Sequence, residues 1–148
     1  MARAMSPQRE KEFTELDGFL RFYLVQIKGL SEALFDEGAA EIALKYGRSK
    51  ALDGLRQAVN DTVEDLSAAS PEAIRLLDQA LAEKGLVSFS SLRRRYSSQY
   101  KRVLKRGAIT KETEFYLVSG IVSDLSTDIS DEERRQLQEM LEAYERAA

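Results

Sequence analysis

Residues 52–66 read LDGLRQAVNDTVEDL, and the spacing of their apolar side chains decides the fold class of this 148-residue chain. Successive apolar residues lie 3, 4, 4 and 3 positions apart: Leu52, Leu55, Val59, Val63 and Leu66. Residues at these intervals share one side of an α-helix, and helical spacing recurs in both directions along the chain. No segment of the sequence alternates clearly enough to indicate a β-strand. The sequence therefore predicts an all-α protein.

Serine residues mark where several of the other helices begin. The two prolines of the chain, Pro7 and Pro71, each follow a serine. Ser-Pro favours a helix start for two reasons. The serine oxygen accepts a hydrogen bond from a backbone N–H of the first turn, and proline lacks the N–H that would have no partner at the first helical position. A capping box at Ser130 and Glu133 predicts that these two residues satisfy each other's hydrogen bonds at the start of the last helix. We expect a single domain, a compact bundle of about six helices, divided loosely into sub-bundles 1–69 and 70–148.

An apolar stretch near the N-terminus predicts an interface. A first helix is expected from Ser6 to about Leu34, with a break near Gly29 as the alternative. Its residues 19–27, FLRFYLVQI, are apolar on almost all sides of the helix. A helix of that kind lies in the core or is shared between the core and a partner. Phe22 and Val25 point away from the main apolar stripe and are the candidate apolar interface.

Residues 93–106, RRRYSSQYKRVLKR, contain seven basic residues and no acidic one, in a chain of net charge -3. We predict one helix from Phe89 to Arg106, with its apolar residues on one side. The opposite side, the predicted basic face, consists of Arg94, Arg95, Lys101, Arg102, Lys105 and Arg106.

The composition narrows the chemistry. The chain has no His and no Cys, which excludes Ser-His-Asp and Cys-His catalysis, thiolate metal sites and disulfides. We expect a protein that is not an enzyme and that uses no metal or cofactor. No apolar run approaches the roughly 18 residues of a membrane span, and the N-terminal residues lack the apolar core of a signal peptide. A cytoplasmic protein with no membrane partner is expected.

Three interpretations of the predicted basic face remain open. Its charges are solvated or paired with acids of the same fold, or they meet a protein partner, or they bind nucleic acid. The protein partner is acidic or is a second copy in a homodimer, and the function would be that of an adaptor, an inhibitor or a neutralising subunit. The alternative is a helix-turn-helix-like regulator, because a helix ending near Gly85 precedes Ser88 and the basic helix.

Overall fold

The computed structural model describes residues 5–148. The described chain is 79% helical and contains no strand, which confirms the all-α prediction. Its helices are α1 (Pro7–Arg21), α2 (Glu32–Asp65), α3 (Pro71–Glu83), α4 (Phe89–Tyr96), α5 (Ser98–Arg106), α6 (Glu112–Ser123) and α7 (Asp131–Ala147), with a π-helical segment at Phe22–Ile27. The chain divides into two compact units, unit 1 (Met1–Asp61) and unit 2 (Thr62–Ala148), so the division falls inside α2 instead of at residues 69 and 70.

The serine caps lie where the sequence predicts them. Ser6 Oγ accepts a hydrogen bond from Arg9 N at 3.3 Å, and Ser70 Oγ accepts one from Ala73 N at 3.1 Å. Each side chain satisfies a backbone donor that the first turn of its helix leaves without an intrahelical partner. These caps fix the beginnings of α1 and α3.

The first helical run of unit 1 is interrupted at Gly29, where the sequence predicts a break, and its last part is π-helical. α1 ends at Arg21, the π-helical segment follows, and Gly29 separates it from α2. A π-helix widens the helical turn, so an α-helical projection does not describe the faces of Phe22 and Val25. Both of these side chains are half-buried.

α2 consists of two helical parts that meet at a kink at Gly47. This glycine has φ 82° and ψ 169°, a backbone conformation that is essentially restricted to glycine. The helix therefore consists of two straight parts, residues 32–46 and residues 48–65. We call residues 32–46 the arm.

Unit 2 has its own apolar core, to which α5, α6 and α7 contribute. The buried members of this core are Tyr100, Val103, Ile109, Leu117, Val118, Ile121, Leu137 and Met140. The prediction of one helix from Phe89 to Arg106 is wrong, because the chain is extended at Ser97 with φ -70° and ψ 119°. Ser97 Oγ accepts a hydrogen bond from Tyr100 N at 3.0 Å and caps α5. The break divides the predicted basic face between two helices.

Candidate functional site

The predicted basic face is partly neutralised inside unit 2. Arg94 Nε donates to Glu133 Oε2 at 3.0 Å, and Arg94 Nη2 donates to Glu133 Oε1 at 3.2 Å. One of the two hydrogen bonds of the predicted capping box forms, because Ser130 Oγ accepts from Glu133 N. The carboxylate of Glu133 pairs with Arg94 of α4 instead of returning to Ser130. This bidentate arginine–carboxylate pair holds α4 against α7.

Arg106 also has a structural role. Its Nη2 donates to Glu114 Oε1 at 2.5 Å, and its Nε donates to Ala108 O at 3.0 Å. Thr110 adds two further donors to the same Glu114 oxygen. Burial raises the pKa of Glu114, but these hydrogen bonds outweigh it and leave the pKa below its ordinary value. Arg106 therefore stabilises a buried carboxylate at the start of α6.

Three cations of the predicted basic face remain exposed on α5. Lys101, Arg102 and Lys105 are exposed to solvent, and at 100° per residue they lie within one third of the helix circumference. We call them the α5 cations. None of them forms an ion pair with another residue in the part of the chain that the structure describes. Arg95, in contrast, is half-buried and interacts with other residues of the chain.

The helix that would enter the DNA groove in a helix-turn-helix is α4. Such a helix presents its N-terminal residues to the bases. In α4 the residues at that end are buried: Phe89, Ser90, Ser91, Leu92 and Arg93. These side chains cannot reach base edges without leaving the interior of the protein, so this geometry disfavours the helix-turn-helix interpretation.

The arm carries the largest exposed apolar side chains of unit 1, which the sequence interpretation missed. Every arm residue is exposed except Phe35 and Gly38, which are half-buried. Leu44 is 91% exposed. The exposed apolar residues of the arm and of the turn before it, together called the apolar patch, are Ile27, Leu30, Leu34, Ile42, Leu44 and Tyr46. The scattered spacing of Leu34, Ile42 and Leu44 in the sequence was the available signal.

Arg21 connects the arm to α1. Its guanidinium pairs with Asp36, and its Nη1 lies 3.4 Å from Glu32 Oε1. The Arg21 Cζ atom also lies 4.8 Å from the centre of the Phe35 ring. One arginine therefore fixes the first turns of the arm by charge and by a cation–π contact.

Unit 2 contains a cavity of about 610 Å³ between α3 and α6, with α4 contributing to its lining. Apolar side chains form much of its wall, among them Ile74, Leu86, Tyr116 and Leu125. Four groups with charge or strong hydrogen-bonding capacity reach the same space: Asp78, Ser90, Arg93 and Asp124. Small-molecule sites have this composition and a volume of roughly 300–1,000 Å³.

The two carboxylates of the cavity differ in their hydrogen bonds. Asp124 accepts from Ser88 Oγ, from Thr127 Oγ1 at 2.8 Å, and from both the N and Oγ of Ser126 at 3.1 and 2.7 Å. Burial raises the pKa of Asp124, but these donors outweigh it and leave the pKa below its ordinary value. Four acceptor positions are thus in use, which is about the full capacity of a carboxylate.

Asp78 retains free acceptor capacity. It accepts from Ser90 N at 3.1 Å and from Ser90 Oγ at 2.5 Å. Burial raises the pKa of Asp78 despite these two bonds, and the negative charge of Asp124 raises it further. The backbone N–H of Phe89 donates to Asp78 as well and lowers its pKa, so about one acceptor position remains for another donor.

Arg93 is buried without a direct partner for its charge. It is 6% exposed, and among the described residues its Nε atom has no hydrogen-bond partner. Burial lowers the pKa of Arg93 to about 10, while the more distant Asp78 raises it. Gly120 of α6 provides the space, since a Cβ atom there would lie 2.7 Å from Arg93 Nη2. The sequence-based prediction included Arg93 among the seven basic residues of 93–106 but placed it on neither face of the helix.

Two general classes of site find no support in residues 5–148. No helix there combines the length and the apolar character needed to cross a membrane. No cluster of three or more acidic side chains in this part of the chain is arranged to hold a metal ion. The chain matches no known family model, and no curated protein or solved structure is detectably similar to it.

Proposed function

We propose that this protein acts by binding another protein, not by catalysing a reaction. The observation that carries the proposal is the apolar patch, in which Leu44 is 91% exposed and five other large apolar side chains are also exposed. Burying one such side chain contributes roughly 1.5–3 kcal/mol. A concentration of exposed apolar side chains in one segment supports an interaction site there.

The α5 cations indicate the charge of the partner. They are exposed and have no ion pair among the described residues, whereas Arg94 and Arg106 are engaged with Glu133 and Glu114. Complementary charge at an interface accelerates association and selects between partners. The partner therefore presents an acidic surface, a property that the arm of a second copy shares through Glu37 and Glu41.

Site-specific photo-crosslinking in the producing cell tests the proposal. A benzophenone amino acid replaces Leu44 in the full chain, and a control chain carries it at Gln138, an exposed position of α7. We expect one discrete adduct from position 44 that position 138 does not give. An adduct that contains peptides of this chain alone identifies a second copy as the partner.

Charge reversal tests the contribution of the α5 cations. The variant Lys101→Glu/Arg102→Glu/Lys105→Glu should reduce the yield of the position-44 adduct, because its glutamates repel an acidic partner that the cations attract. The matched control reverses three exposed cations elsewhere in unit 2: Lys84, Lys111 and Arg135. Equal adduct yields from positions 44 and 138 would overturn the proposed function. Equal effects of the two charge reversals would remove the α5 cations from it.

A further inference from the structure

The cavity of unit 2 combines an unpaired cation with an unsaturated carboxylate. Arg93 brings a positive charge that no direct ion pair within the described residues neutralises. Asp78 brings an acceptor of which Ser90 uses only part. A buried charge without a partner is costly, so a ligand that supplies the partner binds with a strong electrostatic advantage.

The charges of the cavity exclude the two simplest ligand classes. A simple anion would pair with Arg93 but would meet the carboxylates of Asp78 and Asp124 in the same space. A simple cation would pair with Asp78 but would leave Arg93 unpaired and add a positive charge near it. Arg75 at the cavity wall does not change this balance, because it is already paired with Glu72 at 2.6 Å.

We propose that the cavity binds a zwitterionic small molecule of the α-amino acid type with a large apolar side chain. Its carboxylate pairs with the Arg93 guanidinium, and its ammonium group donates to the remaining acceptor position of Asp78. The apolar side chain lies against Ile74, Leu86 and Tyr116, which line the same cavity. Asp124, whose acceptor positions are filled by Ser and Thr side chains, holds the loop after α6 in place.

Three indole compounds separate the contributions of the two charges. L-Tryptophan carries both charged groups, indole-3-propionate lacks the ammonium group, and tryptamine lacks the carboxylate. The chain contains no Trp, so indole fluorescence reports the probe alone, and the full chain is titrated with each compound in turn. We expect the dissociation constant of tryptophan to be at least about tenfold lower than that of either analogue.

Two substitutions assign the binding to the cavity. Arg93→Met should weaken tryptophan binding by more than about tenfold and remove the advantage of tryptophan over tryptamine. Arg75→Met removes the same charge from another arginine of the cavity wall, one that is already paired, and should change the affinity by less than about twofold. Circular dichroism of both variants confirms that they retain the helical fold.

A measurement on the wild type complements the variants. In ¹⁵N-labelled protein, saturating tryptophan should shift the Nε–H resonance of Arg93 because the guanidinium to which this group belongs gains a carboxylate partner. Absence of saturable tryptophan binding overturns the proposal. So does equal affinity for tryptophan and indole-3-propionate, or an equal loss in Arg75→Met and Arg93→Met. None of these outcomes bears on the proposed protein interface, since the apolar patch and the α5 cations do not line the cavity.

Discussion

Replacing Arg93 by methionine should make the ligand-free protein more stable, and the same change at the next residue should make it less stable. Methionine keeps most of the length of the side chain and removes the charge. Arg93 is 6% exposed, and its Nε atom lacks a partner within the described chain. Arg94 forms two hydrogen bonds to Glu133. The two arginines are adjacent in sequence but differ in what surrounds their charges.

The expected gain at Arg93 follows from its pKa. Burial lowers this pKa from the ordinary arginine value to about 10, and at 1.36 kcal/mol per pKa unit the charged form is disfavoured by about 3 kcal/mol. Because the folded-state pKa is the lower one, this cost is fully present below about pH 10 and is relieved only as the pH rises toward the ordinary pKa of arginine. The contact between Arg93 Cζ and the Phe89 ring, 5.4 Å from its centre, contributes roughly 1 kcal/mol in the opposite direction. The net gain at neutral pH is therefore about 1–2 kcal/mol.

Arg94→Met should lower the free energy of unfolding by about 1–3 kcal/mol. It leaves the carboxylate of Glu133, which is only 17% exposed, without its two donors. An uncompensated carboxylate in this position is the source of the loss.

Urea denaturation at neutral pH, followed by far-ultraviolet circular dichroism, measures both effects. The midpoint should move to higher urea for Arg93→Met and to lower urea for Arg94→Met, with an unchanged dependence on denaturant concentration. If Arg93→Met loses as much stability as Arg94→Met, the interior of unit 2 provides Arg93 with a partner, and the electrostatic reasoning about the cavity is refuted.

Four further outcomes are expected. Gly120→Ala should change the free energy of unfolding by less than about 1 kcal/mol, because the new Cβ meets the flexible end of Arg93 while alanine favours the helix over glycine by about 1 kcal/mol, and thermal unfolding should show a net gain from Gly120→Ala in the Arg93→Met background, where this contact is absent. Leu44→Glu should change the urea midpoint by less than the equivalent of about 0.5 kcal/mol, whereas Leu52→Ala should lower stability by about 2–5 kcal/mol. Asp124→Asn should lower stability near neutral pH and flatten the loss on acidification: the depressed pKa of Asp124 stabilises the fold above the ordinary aspartate pKa, and that contribution disappears as the pH falls through the folded-state value. Fluorescence anisotropy with labelled duplex DNA should show no saturable binding at physiological salt, and saturable, steeply salt-dependent binding would contradict the assignment of the α5 cations to a protein partner.

Local signals in the sequence were sufficient to predict the helical fold and several helix ends. Ser6 and Ser70 cap helices because a hydroxyl beside a backbone donor acts within one turn, independently of the remaining structure. The stripe that begins at Leu52 was recognisable for the same reason, since its period depends only on helical geometry. These features need no knowledge of distant residues.

Distant residues determine the parts that the sequence did not reveal. The break at Ser97 interrupts a segment whose helical period continues through Tyr96 and Tyr100, so periodicity alone concealed it. The burial of Arg93 depends on Gly120 of α6, which lies directly beside its guanidinium. No local sequence pattern near Arg93 indicates this neighbour. Arg94 was assigned to an exposed face because its partner Glu133 lies 39 positions away in the sequence. The cavity arises in the same way, from three helices that are separate in the sequence.

The bend at Gly47 has a consequence for the energetics of the arm. The non-helical backbone at Gly47 separates residues 32–46 from residues 48–65, so we expect the two parts of α2 to gain little cooperative support from each other. An isolated helix of about 12–15 residues is marginal in water, and Arg21 connects only the first turns of this one to α1. We therefore expect the arm amides near Leu44 to exchange rapidly with solvent deuterium in the free protein. Docking of a partner on the apolar patch would complete the ordering of this helix, so slow amide exchange in the arm would be a signature of the complex.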